Sequence, residues 1–211
     1  MKFLAATFVS LAVGAAIDGL PASHSIRSSL PEGYTVAPIT WTMPIVPGGE
    51  DYAFQGTAQE VFLQVNAARA KLGLPPNPDL TMSADNQVSS RTGNAQAARH
   101  WQNTICNVPG MNGDATVPPI KDGIKYLRGL DGNCTIGPGR GNCGQISCSW
   151  HSAIYWCNDN DYEYSHKCSE LADYGESIVD NCGVMTQWVY RVQGQAFDTE
   201  NFNVMVGWGA C

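Results

Sequence analysis

Ser149 and His151 are the residues that come nearest to a catalytic nucleophile and its base. They lie two positions apart in a segment of alternating apolar and polar residues, so both side chains would share one face of a strand. A serine hydrolase also needs an orienting carboxylate and an oxyanion hole, and the chain has no Gly-x-Ser-x-Gly motif. The sequence therefore predicts no enzyme active site.

Two residue sets resemble metal sites in part. Four acidic residues fall at positions 1, 3, 5 and 12 of a calcium-binding loop: Asp159, Asp161, Glu163 and Glu170. That loop needs glycine at position 6 for its sharp turn, and Tyr164 stands there. Cys148, His151 and Cys157 suggest zinc in the same way, but no paired Cys-x-x-Cys motifs accompany them. We expect no metal and no cofactor, and a solvated acidic turn at 159–163.

The N-terminus has the pattern of a secretory signal peptide. Met1 and Lys2 precede an apolar run from Phe3 to Ala16 that ends in small residues. This run is too short to span a bilayer, which takes about 18 or more apolar residues. We therefore predict a signal peptide at 1–16, a secreted, extracellular protein and no membrane insertion.

All eight cysteines lie in the second half of the chain, at Cys106, Cys134, Cys143, Cys148, Cys157, Cys168, Cys182 and Cys211. An even number of cysteines behind a signal peptide predicts four disulfide bonds. Cys148 shares its predicted strand face with Ile146 and Trp150, and Cys182 ends the apolar stripe of a predicted helix. Both sulfur atoms would then point into one layer, so Cys148 to Cys182 is the preferred pair.

The cysteine-rich part of the chain is acidic. Residues 106–211 hold six Lys and Arg against twelve Asp and Glu, and the whole chain has a net charge of −7. An acidic surface repels phosphate backbones and anionic lipid headgroups. We therefore expect no nucleic-acid partner.

Two single residues are candidates for modification and binding. Asn133 begins an Asn-x-Thr motif, which accepts glycans in secreted proteins, although Cys134 inside the motif competes by forming a disulfide. Arg140 is the only charged residue of the Gly-Pro-Gly-Arg-Gly segment at 137–141. Binding residues are often presented on such loops, so Arg140 is the predicted binding residue, with a plain connector as the alternative.

Six tryptophans could form a platform for sugar stacking: Trp41, Trp101, Trp150, Trp156, Trp188 and Trp208. The alternation of the predicted strands places Trp150, Trp156 and Trp208 on inward faces, so we expect these three in the core. Trp101 and Trp188 stay open as surface contacts.

The elements that must position these residues are clearest after residue 106. Pro118 and Pro119 begin a predicted helix that ends near Gly132, and a second helix is predicted at 170–181. Strands are predicted at 146–156, 186–193 and 202–208. This order predicts an α+β fold, an antiparallel β-sheet with two helices packed on one face, crosslinked by disulfides.

The part of the chain before Cys106 is less regular. A capping box at Thr57–Glu60 and apolar residues at helical spacing predict a helix at about 58–72. The proline-rich stretch before it is expected to pack as an extended arm, and residues 81–102 as a weak helix or a linker. The predicted organisation is a signal peptide at 1–16, an N-terminal extension at 17–105 and a cysteine-rich α+β domain at 106–211.

The cysteine-rich part also carries a family resemblance. The segment 141–160, Gly-Asn-Cys-Gly-Gln-Ile-Ser-Cys-Ser-Trp-His-Ser-Ala-Ile-Tyr-Trp-Cys-Asn-Asp-Asn, follows Ile-Lys-Tyr-Leu-Arg-Gly at 124–129 and precedes a terminal Cys211. It resembles small cysteine-rich secreted proteins of filamentous fungi and, more distantly, the fungal killer toxins. The resemblance covers about residues 115–211 and implies an antiparallel sheet with two helices on one face. The acidic charge and long extension of this chain argue against the calcium-channel block of the killer toxins.

Together these observations predict a secreted, non-enzymatic effector or antagonistic toxin-like protein. Its expected partner is an extracellular protein or cell-wall component of a host or competitor. The alternative is a secreted hydrolase or hydrolase inhibitor. Infiltration of the purified protein into plant tissue, or its addition to competing fungi, discriminates between these functions.

Overall fold

The computed structural model describes residues 29–77 and 101–211 of the chain. The predicted signal peptide at 1–16 and most of the segment 81–102 lie outside the described residues. The described elements are, in chain order, β1 (Thr35–Val36), β2 (Thr40–Pro44), β3 (Asp51–Gln55), α1 (Ala58–Lys71), β4 (Trp101–Cys106), β5 (Ala115–Thr116), α2 (Val117–Gly129), β6 (Asn133–Ile136), β7 (Asn142–Ser149), β8 (Ser152–Asn158), β9 (Tyr164–Lys167), α3 (Cys168–Cys182), β10 (Val184–Met185), β11 (Tyr190–Val192), β12 (Gly194–Asp198) and β13 (Phe202–Trp208).

The three described helices lie where the sequence predicts them. At the start of α1, the Thr57 hydroxyl accepts the Glu60 backbone N–H at 3.4 Å, and the Glu60 carboxylate accepts the Thr57 backbone N–H at 2.7 Å. This reciprocal capping box confirms the predicted helix at about 58–72. Helix α2 carries proline in its first turn, where a missing N–H costs nothing, and α3 extends the predicted helix by a few residues.

The strands form three sheets rather than the single sheet predicted. The largest has the order β1-β7-β8-β13-β12-β4 and is antiparallel except for the β1–β7 pair. Helices α2 and α3 pack on one face of this sheet, which confirms the α+β class and the two-helix layer. The other two sheets have the orders β3-β2-β6-β9 and β10-β11-β5.

The predicted N-terminal extension shares its core with the cysteine-rich part. Strand β2 pairs with β6, and Trp41 on β2 is fully buried opposite Cys134. Val61 and Val65 of α1 belong to the same buried cluster as Ile124 and Ile154. The described residues on both sides of position 106 therefore build one hydrophobic core.

The second face of the large sheet is also covered. Leu30, Val108 and Met111 pack there against Tyr155 and Met205. As a result, six of the seven residues of β13 are buried, although a strand with one solvent face would alternate. This second layer was not predicted.

The predicted strand at 146–156 is two strands joined by a tight turn. Trp150 and His151 form the turn between β7 and β8, with φ angles of 50° and 55°. Strand β7 also contains a bulge, because Gln145 pairs with Tyr155 while Ser147 pairs with Ile154, which leaves Ile146 as an extra residue. The bulge and the turn change which residues share a face.

The predicted Cys148–Cys182 disulfide is wrong. Cys148 is bonded to Cys211, and Cys182 is bonded to Cys106 on the edge strand β4. The bulge at Ile146 turns Cys148 away from the helices and onto the second face of the sheet, where it cannot reach α3. The other two bonds are Cys134–Cys168 and Cys143–Cys157, so the predicted number of four disulfides is confirmed.

Candidate functional site

The structure does not assemble Ser149 and His151 into a catalytic pair. His151 lies in the hairpin turn, where its Nδ1 is 3.3 Å from the Gly209 carbonyl oxygen. Its ring stacks on Trp208 with 5.6 Å between ring centroids. No carboxylate among the described residues pairs with this imidazole. His151 therefore holds the C-terminal segment against the turn.

Two of the four acidic residues of the partial calcium motif, Asp159 and Glu170, have separate structural partners. Asp159 accepts the Gly141 N–H on Oδ1 at 3.0 Å and the Asn203 amide on Oδ2 at 2.7 Å. Glu170 lies on α3, 3.4 Å from the His166 imidazole. Within residues 29–77 and 101–211, no three His, Cys, Asp or Glu side chains are placed to hold a metal ion.

The glycine-rich segment at 137–141 is a turn whose backbone is held by neighbouring loops. Gly139 and Gly141 have φ angles of 139° and 72°, which residues with a Cβ rarely adopt. The Gly139 N–H donates to the Asn160 carbonyl at 2.9 Å, and the Gly141 N–H donates to Asp159. The glycines thus permit the turn, and both amides are anchored.

Two buried asparagines anchor the same turn from below. The Asn158 amide donates to the carbonyl oxygens of Gly137 at 3.1 Å and Tyr162 at 2.8 Å. The Asn160 amide donates to the Glu200 carbonyl at 3.0 Å and to the Asn158 side chain. Three segments, 137–141, 159–163 and 199–201, are therefore joined into one hydrogen-bonded surface, which we call the loop end.

The loop end presents one cation among acidic and aromatic side chains. Arg140 is exposed and makes no hydrogen bond or ion pair with the described part of the chain. Tyr162 is 55% exposed, and the joined segments 159–163 and 199–201 also carry the carboxylates of Asp161, Glu163 and Glu200. The Cys143–Cys157 disulfide crosslinks β7 and β8 directly beneath this surface. Arg140 is thus available to an external anion on a rigid base.

Tyr164 fixes one of these carboxylates. Its hydroxyl donates to Glu200, and its ring packs on Phe202 with 5.7 Å between centroids. Burial, together with the hydrogen bond and the charge of Glu200, raises the pKa of Tyr164 far above its usual value. Tyr164 therefore stays a hydrogen-bond donor at any physiological pH.

Asn133, the predicted glycan acceptor, lies in β6 with its side chain exposed. Its backbone pairs with Thr42 on one side and Lys167 on the other, and Cys134 is bonded to Cys168. The motif therefore sits inside a paired strand rather than a loop. Glycosylation of Asn133 stays a prediction.

The tryptophans divide differently from the prediction. Trp156 is fully buried as predicted and Trp208 is partly buried, but Trp150 is 84% exposed. Trp188 and Trp101 are also exposed, in agreement with their assignment as possible surface contacts. Sequence reasoning missed Trp150 because it continued the strand alternation through the hairpin turn.

No family model matches the chain, and comparisons with curated proteins and with solved structures find no match. None of the described helices is long and apolar enough to cross a membrane. The geometry of the loop end is therefore the main basis for a functional proposal.

Proposed function

We propose that this chain is a secreted, non-enzymatic effector or antagonistic toxin-like protein that binds an extracellular protein of a host or competitor. The binding surface is the loop end, with Arg140 at its centre. The observation that carries the proposal is an unpaired, exposed Arg140 on a backbone anchored by buried side chains. The resemblance to cysteine-rich fungal secreted proteins supports the same class of function.

Preorganisation is the physical reason that this surface suits binding. Ordering a flexible loop on association costs free energy, and a loop that is already held avoids that cost. Here the hydrogen bonds of Asn158, Asn160 and Asp159 hold the backbone before any partner arrives. Arginine and tyrosine are enriched among the residues that contribute most to protein interfaces, and the loop end exposes Arg140 and Tyr162.

The charge pattern also indicates the chemistry of the partner. Arg140 can donate two parallel hydrogen bonds to one carboxylate, whereas the acidic side chains of the neighbouring segments attract cations. The complementary surface has a carboxylate at its centre and basic residues at its rim. This pattern favours a protein partner over a phosphate-rich polymer.

The first test compares Arg140→Ala with Arg191→Ala in a tissue-response or growth-inhibition assay. Arg191 is also exposed but lies on β11, away from the loop end, so it is a matched control. We expect Arg140→Ala to weaken the response at least about tenfold, which corresponds to about 1.4 kcal/mol, and Arg191→Ala to leave it unchanged. Equal responses of the wild type and Arg140→Ala would exclude the loop end.

Inhibition of a hydrolase is a second candidate, favoured by the anchored amides on both sides of Arg140. An arginine held in this way can occupy the specificity pocket of an arginine-cleaving serine protease. In an inhibition assay, Arg140→Lys is expected to retain activity and Arg140→Ala to lose it. A response that survives His151→Ala excludes a hydrolase mechanism based on His151.

A further inference from the structure

The end of the molecule opposite the loop end carries two exposed tryptophans. Strand β7 leaves the loop end, so the turn at Trp150 and His151 lies at the far end of the large sheet. Thr116 of β5 donates its N–H to the Ser152 hydroxyl at 3.0 Å, and β5 pairs with β11. The hairpin of β10 and β11, with Trp188 in its turn, therefore extends from the same end.

The two segments at this end expose four large apolar side chains. Trp150 is 84% and Trp188 is 90% exposed, and Val184 and Met185 on β10 are also largely exposed. We call Trp150, Val184, Met185 and Trp188 the tryptophan end. Exposed clusters of large apolar side chains mark interaction sites more often than free surface.

The backbone at Trp150 adds a second, independent observation. A two-residue turn with positive φ at both positions favours Asn-Gly, because a Cβ is strained in the left-handed region. Here the two positions hold Trp150 and His151. The His151 ring stacks on Trp208 and lies against the Gly209 carbonyl, whereas the Trp150 indole is 84% exposed. The turn thus holds an exposed indole in a defined direction at a conformational cost.

The charge distribution indicates what kind of partner fits. Residues 142–158 and 202–211 contain no Asp, Glu, Lys or Arg, and residues 183–197 contain only Arg191. The charged residues nearest to these segments along β5 and the start of α2 are Asp114, Lys121 and Asp122, which together carry one net negative charge. Anionic surfaces attract basic clusters, and residues 142–158, 183–197 and 202–211 contain no such cluster.

We propose that the tryptophan end binds a neutral polysaccharide. The C–H faces of pyranose rings are apolar and pack against indole rings, while their hydroxyls carry no charge and match the low charge of these segments. The buried Ser152 hydroxyl is bonded to Thr116 and to the Trp150 carbonyl, so it braces the turn behind the exposed indole. This site is separate from Arg140, so neither proposal depends on the other.

The test is sedimentation of the full chain with insoluble β-1,3-glucan, chitin and cellulose. The variants are Trp150→Asn, which suits a positive φ and preserves the turn, Trp150→Tyr, which keeps an aromatic ring, and Trp188→Ala. The matched control is Trp101→Ala, because Trp101 is exposed but pairs with Asp198 at the loop end. Circular dichroism and melting temperature confirm that each variant folds.

We expect the wild type and Trp101→Ala to sediment with at least one of the three polymers. Trp150→Asn and Trp188→Ala are each expected to weaken that binding at least tenfold, and Trp150→Tyr to retain part of it. The proposal is overturned if no polymer is bound, or if both tryptophan variants bind as the wild type does. It is also overturned if the tryptophan end instead mediates self-association in analytical ultracentrifugation or binding to phosphatidylcholine vesicles.

Discussion

Buried polar side chains carry much of the structure near the loop end. Tyr174 on α3 donates its hydroxyl hydrogen to Asp198, and both residues are buried. The other oxygen of Asp198 accepts the Glu200 N–H at 2.8 Å, which fixes the turn between β12 and β13. A carboxylate buried in this way is stable only with its hydrogen bonds made. Tyr174 therefore links the helix layer to the backbone that presents the binding surface.

The hydrogen bond between Tyr174 and Asp198 predicts that the protein loses stability at alkaline pH. Burial, together with the hydrogen bond and the charge of Asp198, raises the pKa of Tyr174 far above its usual value. An unfolded tyrosine ionises near pH 10. The stabilisation is thus complete below about pH 10 and decreases as the pH rises further, because only the unfolded state then releases the proton. We expect the melting temperature to fall above about pH 10.

Two variants check the assignment. Tyr174→Phe leaves Asp198 without one hydrogen bond, so its free energy of unfolding at pH 7 is expected to fall by about 1–3 kcal/mol. Between about pH 9 and 11, the free energy of unfolding of Tyr174→Phe is expected to decrease less than that of the wild type. Tyr52→Phe, at an exposed position, serves as the control. The same alkaline loss in Tyr174→Phe as in the wild type would contradict the role of Tyr174.

At the scale of elements, helix α2 can approach β7 closely because residue 123 is a glycine and has no side chain. Gly123 lies in the middle of α2 and faces Ser147 of β7, and a Cβ at position 123 would overlap the Ser147 hydroxyl. The Ser147 hydroxyl also accepts a hydrogen bond from Gln59 of α1 at 2.8 Å, so it cannot move freely. Gly123 therefore marks the point where two helices and the sheet meet.

Gly123→Ala is expected to destabilise the protein despite the higher helix propensity of alanine. Propensity alone contributes about 1 kcal/mol in favour of alanine, whereas overpacking costs about 1–3 kcal/mol. Urea unfolding measures the difference. The matched control is Gly175→Ala on α3, where the nearest atom to a new Cβ is Ile124 Cγ1 at 3.3 Å. If Gly123→Ala were more stable than the wild type, the Ser147 side chain would have to move away from the new methyl group at little cost, which would contradict this prediction.

At the scale of the whole molecule, the disulfides fall into two classes by exposure. Cys134–Cys168 and Cys143–Cys157 are fully buried, whereas Cys106 and Cys211 are exposed at the surface. Cys106–Cys182 ties the edge strand β4 to α3, and Cys148–Cys211 ties the C-terminal segment to β7. The buried bonds lie within the core, whereas the exposed bonds attach the edge strand β4 and the C-terminal segment to it.

The exposed bonds are expected to be reduced first. Thiol reductants must reach a sulfur atom, so Cys106–Cys182 and Cys148–Cys211 are expected to open at a lower dithiothreitol concentration than the buried pair. Alkylation followed by mass spectrometry identifies the order. Cys148–Cys211 closes a loop of 63 residues, and its removal by paired serine substitution is expected to cost about 4 kcal/mol in the chain-entropy model.

Peptide mapping of the unreduced protein supplies the control for this order. It is expected to recover Cys148 crosslinked to Cys211 and Cys106 crosslinked to Cys182. Simultaneous opening of all four bonds would contradict a difference in access. A crosslink between Cys148 and Cys182 would contradict the arrangement of β7 described above.

The sequence by itself determined the local elements and the number of crosslinks. Helix α1 follows from a capping box, and α2 and α3 from apolar residues at helical spacing, because these signals lie within a few residues of one another. Eight cysteines in one part of the chain predicted four disulfides. The loop at 137–141 was recognisable because only glycine adopts such backbone angles freely.

The tertiary structure alone decided which cysteines pair and which tryptophan is exposed. A bulge at Ile146 and a turn at Trp150 and His151 reverse the faces of the hairpin, and neither position carries the glycine or asparagine that usually signals such a feature. The anchoring of the loop end likewise depends on asparagines 158 and 160, which reach it only after β7 and β8 pair. Contacts between residues far apart in the chain set these features, and local spacing does not record them.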